Sequence, residues 1–237
     1  MSEIWLSVAE KEKTGRRWQT MIRKATWDDL DAIERLYDEM HDAKDAGLII
    51  TNWKRGIYPS RATAEAALER DDLFVMEENG RIIGSGIINQ AQLGIYAGAA
   101  WKHKVPDEQV CVLHTLMISP AEQRKGHASE FLRFYEVYAL EHGCSELRID
   151  TSEINTPARS MYRKHGFEEV GIATSELNGI PGVTLVMLEK HLNPKQGLFL
   201  KQKHLLDTFL ENGAISQAQY DKSLGDLREK MGINDAD

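Results

Sequence analysis

The chain has 237 residues and a formal net charge of −8, long enough to bury one ordinary core and carry a small appendage. Its hydrophobic and charged fractions, 42% and 28%, are those of a globular protein and exclude a disordered or fibrous class. The acidic balance argues against nucleic acid or an anionic membrane as a partner, and mildly favours a cationic one.

The first twenty residues are charged and lack an apolar run, so they predict an N-terminal extension (1–20) and no secretory signal. The main domain is expected over 21–192, opening on a short strand at Ile22-Arg23-Lys24-Ala25. Thr26 then caps a helix with Asp28 and Asp29 in its first turn and Leu30, Ile33, Leu36, Tyr37 and Met40 at helical spacing. A loop over Gly47 to Pro59 carries Trp53 and Tyr58, and a second helix runs from Ser60 to Glu69. Leu73 to Glu77 and Arg81 to Asn89 flank Asn79-Gly80, a hairpin signal. The uncharged stretch Ile82 to Trp101 is too rich in Gly, Asn and Gln for a spanning helix and predicts a buried strand entering a flexible loop.

Val110 to Ile118 reads as a strand buried in mid-sheet. A helix is expected from about Gln123 to His142, stopped by Gly143. Leu147 to Thr151 predicts a strand, and Asn155-Thr156-Pro157 the cap and first turn of another helix. Strands over Phe167 to Ala173 and Val183 to Glu189, joined by a turn at Asn178 to Gly182, close the domain. Residues 193–237 predict an α-helical hairpin around Asn212-Gly213, too short to bury its apolar stripe alone. Cys111 and Cys144 fit neither a C-x-x-C pair nor zinc spacing, so no metal is expected, and two unpaired thiols point to a reducing, cytoplasmic setting. Cys111, on an apolar strand, reads as a structural thiol.

Two segments carry chemistry. Gln123-Arg124-Lys125-Gly126-His127-Ala128 lies between a buried strand and a helix, where glycine permits close backbone approach and free helix amides favour a pyrophosphate. It is neither a Walker loop nor a dinucleotide fingerprint, and by itself it reads equally as a solvated basic loop. The second segment is Asn155-Thr156-Pro157-Ala158-Arg159-Ser160-Met161-Tyr162, followed by Gly166-Phe167. Together they resemble the coenzyme A motifs of the GNAT superfamily of N-acetyltransferases, Q/R-x-x-G-x-G/A and N-x-x-A-x-x-x-Y with G-F after it, over approximately residues 21 to 190.

The resemblance implies an α/β (α+β layered) fold: a mixed, mostly antiparallel central sheet, splayed in the middle, with helices on both faces. It also implies acetyl-CoA as co-substrate and an amine acceptor, small molecule or peptide. The pantetheine arm would lie along the backbone of Leu116, Met117 and Ile118 like an added strand. The pyrophosphate would rest on the amides of Gln123, Arg124, Lys125, Gly126, His127, Ala128 and Ser129, with Asn155 near the pantetheine end. His127 would act through its amide, not its ring.

Outside this motif Tyr162 would read as a core aromatic; within it, its hydroxyl would face the sulfur and hydrogen-bond or protonate the leaving thiolate. Two residues are candidates for the base that deprotonates an ammonium acceptor. His114, read as sharing the side-chain alternation of Leu116, has a suitable imidazole but reads equally as a satisfied core histidine. Glu108, at the mouth of the same strand, would act through water. Trp53, Tyr58, Tyr96 and Trp101 either wall the acceptor site by cation–π contact or pack long loops. The C-terminal hairpin resembles short modules of the SHOCT type, implying an oligomerisation or docking element, with a cover for the core as the plainer alternative. Two other classes remain open: a non-catalytic acyl-CoA sensor, and a scaffold working through the hairpin.

Overall fold

The computed structural model describes residues 6–8 and 20–233; residues 1–5, 9–19 and 234–237, parts of the expected extension and hairpin, lie outside the described residues. One twisted sheet organises the chain, in the order β1-β2-β3-β4-β5-β6-β8-β7. Its strands are β1 (Leu6–Val8), β2 (Thr20–Lys24), β3 (Leu73–Glu78), β4 (Arg81–Asn89), β5 (Val110–Ile118), β6 (Glu146–Ser152), β7 (Glu168–Leu177) and β8 (Ile180–His191). All neighbours are antiparallel except β5 and β6, whose parallel pairing needs a crossover. Helix α3 (His127–Glu141) supplies it.

Helices cover both faces. On one, α1 (Leu30–Asp45) and α2 (Arg61–Glu69) bury Ile33, Leu36, Tyr37 and Ala64 against Val75, Ile87 and Met117. On the other, α3 and α4 (Thr156–Lys164) bury Phe131, Leu132, Tyr135 and Tyr162 against Cys111, Leu113, Leu147 and Ile149. Capping follows the sequence: Thr26 and Asp29 form a capping box, although a 3-10 turn over Trp27–Asp29 precedes the helix proper. Asn155 Oδ1 accepts the Ala158 amide at 3.2 Å. The β7–β8 turn needs only Asn178 and Gly179, both at positive φ, so the two strands run past the expected Ala173 and start before the expected Val183.

The stretch after β4, expected to be flexible, is tied down. Tyr96 is 2% exposed, Trp101 Nε1 donates to the Tyr96 carbonyl at 2.8 Å, and the Ala100 and Lys102 amides donate to Val170 and Glu189. The two thiols also prove to be neighbours: Cys111 and Cys144 are buried and free, and each perturbs the other's titration.

Helices α5 (Pro194–Glu211) and α6 (Gln217–Met231) form the C-terminal hairpin. Its first turns dock on α3, where an added Cβ on Gly197 would come within 2.8 Å of Leu140. Farther along, Leu205 and Phe209 remain exposed. Among the described residues, no helix is long and apolar enough to cross a membrane.

One irregularity positions the site. β4 pairs Ser85 with Met117 and Ile87 with His114, so Gly86 alone faces two residues, Thr115 and Leu116. This is a β-bulge, and Thr115 takes φ +53°, an unfavourable region for a β-branched residue. Gly86 sits opposite the bulge, and a Cβ there would lie 2.8 Å from two ring atoms of fully buried Phe131. Gly86→Ala should therefore destabilise the protein by about 1–3 kcal/mol, read as a lower urea midpoint with an unchanged slope.

Candidate active site

Pairing between β5 and β6 runs from Val110↔Glu146 to Leu113↔Ile149 and stops, although both strands continue. Beyond that point they diverge around a cleft of about 1170 Å³, lined by Leu113 to Ile118 on one side and Asp150 to Ser152 on the other. The cleft passes through the sheet: its walls include Met40, Ile87 and Met117 from the α1/α2 face and Ala158, Met161 and Tyr162 from the α4 face. The β6-facing edge of β5 from residue 114 onward has no strand partner, and such an edge accepts an extended, amide-bearing ligand by strand addition.

At the C-terminal end of β5 the chain makes a 3-10 turn (Pro120–Glu122) before α3. The helix begins at His127, four residues later than the sequence predicts. The reason is local: Arg124 (φ +63°) and Gly126 (φ +97°) are both left-handed, which helical propagation forbids. Alternating handedness curls the amides of this turn toward a common point, and the free amides of the first turn of α3 extend it, an arrangement suited to anions. Gln123, Arg124 and Ala128 line the cleft. Arg124 makes no ion pair among the described residues, whereas Lys125 Nζ is held at 2.5 Å by Glu122. Gly126, His127 and Ser129 lie in or just after the turn but not on the cleft lining; the His127 ring is buried against Glu130 at 3.3 Å and the Ser129 hydroxyl meets His165 Nε2 at 2.9 Å.

Tyr162 comes from α4, 6% exposed, with its ring edge-on to Phe167. Its hydroxyl has no hydrogen-bond partner among the described residues, and burial, then the nearby Asp150 charge, hold its pKa well above the usual phenol range. It is therefore a protonated donor at the cleft wall.

His114 sits across the gap, but not where alternation predicts. The bulge at Thr115 reverses the pleat, so Leu116 packs toward the α3 core while His114 and Thr115 project to the opposite face. There Tyr58 hydrogen-bonds the Thr115 hydroxyl, and burial pushes its own pKa up to about 12. The His114 tautomer follows from its neighbours. Nε2 lies 3.0 Å from the Ala91 carbonyl and 3.2 Å from Asn89 Oδ1. Asn89 is oriented by accepting the Ala91 amide through Oδ1 and donating to Asp72 through Nδ2. Both partners of Nε2 are thus acceptors, so Nε2 carries the proton and Nδ1 keeps a lone pair. Burial lowers the imidazole pKa, an effect partly opposed by Asp150.

Asp150 is the residue that sequence reasoning missed. It lies one step past the last β5–β6 pair, lines the cleft, and accepts the Tyr96 hydroxyl at 2.7 Å. Burial raises its pKa, with the Tyr96 hydrogen bond and His114 acting against that rise. An Asp near the end of the strand expected over Leu147 to Thr151 was the available signal. By contrast, Glu108 lies exposed in the 3-10 turn before β5 and is not on the cleft wall. Eight residues of extended chain separate it from Leu116, roughly 25 Å, too far for one bridging water. Of the aromatic residues, Trp53 and Tyr58 line the cleft. Tyr96 and Trp101 instead brace β6, Trp101 with the Arg148 guanidinium 3.9 Å over its ring.

A sheet opened in mid-course, an anion-binding turn at one end and a phenol at the split define an acyltransferase. Comparison gives the family. The profile of the acetyltransferase (GNAT) family matches residues 27–167, and the chain belongs to that family. An uncharacterized N-acetyltransferase of Bacillus subtilis, YhfO, is 25% identical over 150 residues, covering 62% of this chain and 89% of its own. A putative acetyltransferase structure from Staphylococcus aureus is 26% identical at TM-score 0.54, covering 73% of this chain and 99% of its own. A GNAT-family structure from Streptococcus agalactiae shares the fold at TM-score 0.59 and 21% identity, covering 73% and 96%.

Proposed function

We propose that the protein transfers acetyl from acetyl-CoA directly to a primary amine, acting in the cytoplasm, where its adjacent thiols stay reduced. The observation that carries this reading is the split itself. It leaves the Tyr162 hydroxyl without a partner among the described residues on one face of the sheet, and a buried carboxylate and an imidazole lone pair on the other. Two substrates approaching from opposite faces can meet there in one ternary complex.

The chain's residues fit the co-substrate at both ends. The unpaired edge at Leu116, Met117 and Ile118 would hold the pantetheine arm, with Asn155 beside it. The turn from Gln123 through Ser129, with Arg124 as its free cation, would hold the diphosphate. Bound there, the thioester supplies an activated acyl group and a thiolate leaving group. Asp150, held by Tyr96, would anchor the acceptor as its ammonium, and Trp53 and Tyr58 would flank it. His114 Nδ1 would take the proton from that nitrogen, and Tyr162 would donate one to the departing sulfur. The domain over 21–192 would thus be a self-sufficient catalytic unit. The hairpin over 193–237, with Leu205 and Phe209 exposed, would serve docking or self-association.

The test is a broad amine screen following release of free thiol from acetyl-CoA, beside a calorimetric titration with coenzyme A. Arg124→Ala should weaken coenzyme A binding by about tenfold, the loss of one charge-assisted contact. Coenzyme A binding with no amine accepted would shift the reading to an acyl-CoA sensor. No binding at all would remove both.

A further inference from the structure

At the other end of β6 lies a polar cluster that the transfer reaction does not use. Glu146 and His191 are directly opposed across β6 and β8, and Arg148 and Glu189 are the next pair on the same face. The anchored loop before β5 adds His103, whose ring stacks on that of His191 at 4.2 Å. Both imidazoles present Nδ1 to one carboxylate oxygen, Glu146 Oε2, at 3.0 Å from His191 and 3.8 Å from His103.

The cluster is short of positive charge. Glu146 is 0% exposed and Glu189 3%, and Glu146 Oε1 and Glu189 Oε2 have no hydrogen-bond partner among the described residues. Arg148 acts on both carboxylates, and its guanidinium is already engaged with Gln92 and Trp101. Two buried carboxylates, each with an oxygen unpartnered among the described residues, are costly to hold without a further positive partner.

We propose that His103, Glu146 and His191 form a binding site for a divalent first-row transition metal, of which Zn²⁺ is the natural probe. Two imidazole nitrogens and a carboxylate are a three-ligand set such an ion accepts, with water completing the shell. The ligand atoms lie within 4.8 Å of one another. Bonds of about 2.0–2.2 Å require them to draw together by roughly 1 Å, which the exposed His103 ring on its loop can provide. Glu189, adjacent and buried, adds a second carboxylate beside the ion. The site fastens the loop that also carries Tyr96, and Tyr96 holds Asp150 in the cleft. Metal binding thereby stiffens one wall of the acceptor site from a distance.

The test uses the full chain, stripped with a chelator and titrated with Zn²⁺ by calorimetry and with Co²⁺ by visible absorption. One ion per chain should bind, Co²⁺ should give ligand-field bands of a low-coordinate nitrogen–oxygen site, and the unfolding temperature should rise. His103→Ala and His191→Ala change side chains that are partly exposed, so the fold should survive. Each should weaken binding by roughly tenfold or more, while His204→Ala, on helix α5 of the C-terminal hairpin, should leave it unchanged. Absent binding, or binding indifferent to both the His103 and His191 substitutions, overturns the proposal. None of these readouts depends on acetyl transfer.

Discussion

Replacing Tyr162 by Phe should lower kcat by about 10²–10⁴-fold, the usual contribution of a positioned proton donor, and leave coenzyme A affinity within about a factor of three. The separation of the two effects follows from where Tyr162 sits. Its ring is core, packed on Phe167, and Phe preserves that packing, so the fold and the turn at Gln123 to Ser129 are untouched. Only the hydroxyl is lost, and it makes no hydrogen bond within the described protein, so its removal strands no partner. A structural tyrosine would behave differently: stability would fall and turnover would follow it. Pre-steady-state thiol release against a saturating amine is the measurement. An unchanged kcat would remove Tyr162 from the reaction.

Asp150→Asn should have a comparable effect on the acceptor side, raising KM for the amine by about 10²–10³-fold, as expected when one partner of a buried charge pair is removed. The same substitution should stabilise the free protein, which is the informative part. Burial raises the Asp150 pKa, so the native state binds that proton more tightly than the unfolded chain does. Its favourable contribution is complete below the ordinary carboxylate range and is lost as pH rises through the elevated folded value. At neutral pH the ionised carboxylate is therefore a cost, which Asn does not carry, while Asn Oδ1 can still accept from Tyr96. A gain of roughly 3–6 °C in unfolding temperature at pH 7 is expected, shrinking toward pH 4.

The pH profile carries a linked expectation for His114. Its pKa is lowered by burial, so the imidazole stays neutral to lower pH than usual. The acid limb of kcat should lie below about 6.5 and should vanish in His114→Gln. Asp150 acts in the other direction on KM, which should rise as acid neutralises the carboxylate. The two residues can therefore be separated by following kcat and KM independently.

Much of this was legible along the chain. The 3.6-residue period of Leu30, Ile33, Leu36, Tyr37 and Met40, the Asn79-Gly80 turn and the apolar run from Val110 to Ile118 depend on contacts a few residues apart. Each appears in the fold near its expected place. The placement of Gly126 at a helix start and of Tyr162 on a helix was legible too, because backbone freedom and helical caps are written in residue type and spacing.

What only the tertiary structure decided came from chain segments far apart in sequence. The left-handed Arg124 moved the start of α3, and the bulge at Thr115 turned His114 away from Leu116. Opposite that bulge, Gly86 on the next strand leaves room for the Phe131 ring. Asp150 became a site residue because β6 parts from β5 one residue earlier, and because Tyr96 reaches it from a loop 54 positions away. His103, Glu146 and His191 likewise meet only across strand register. Sequence specifies periodicity, caps and turns through short-range sterics and hydrogen bonds. Which face a bulged strand presents, and how far a buried group is taken from water, are set by packing among elements that close only in three dimensions.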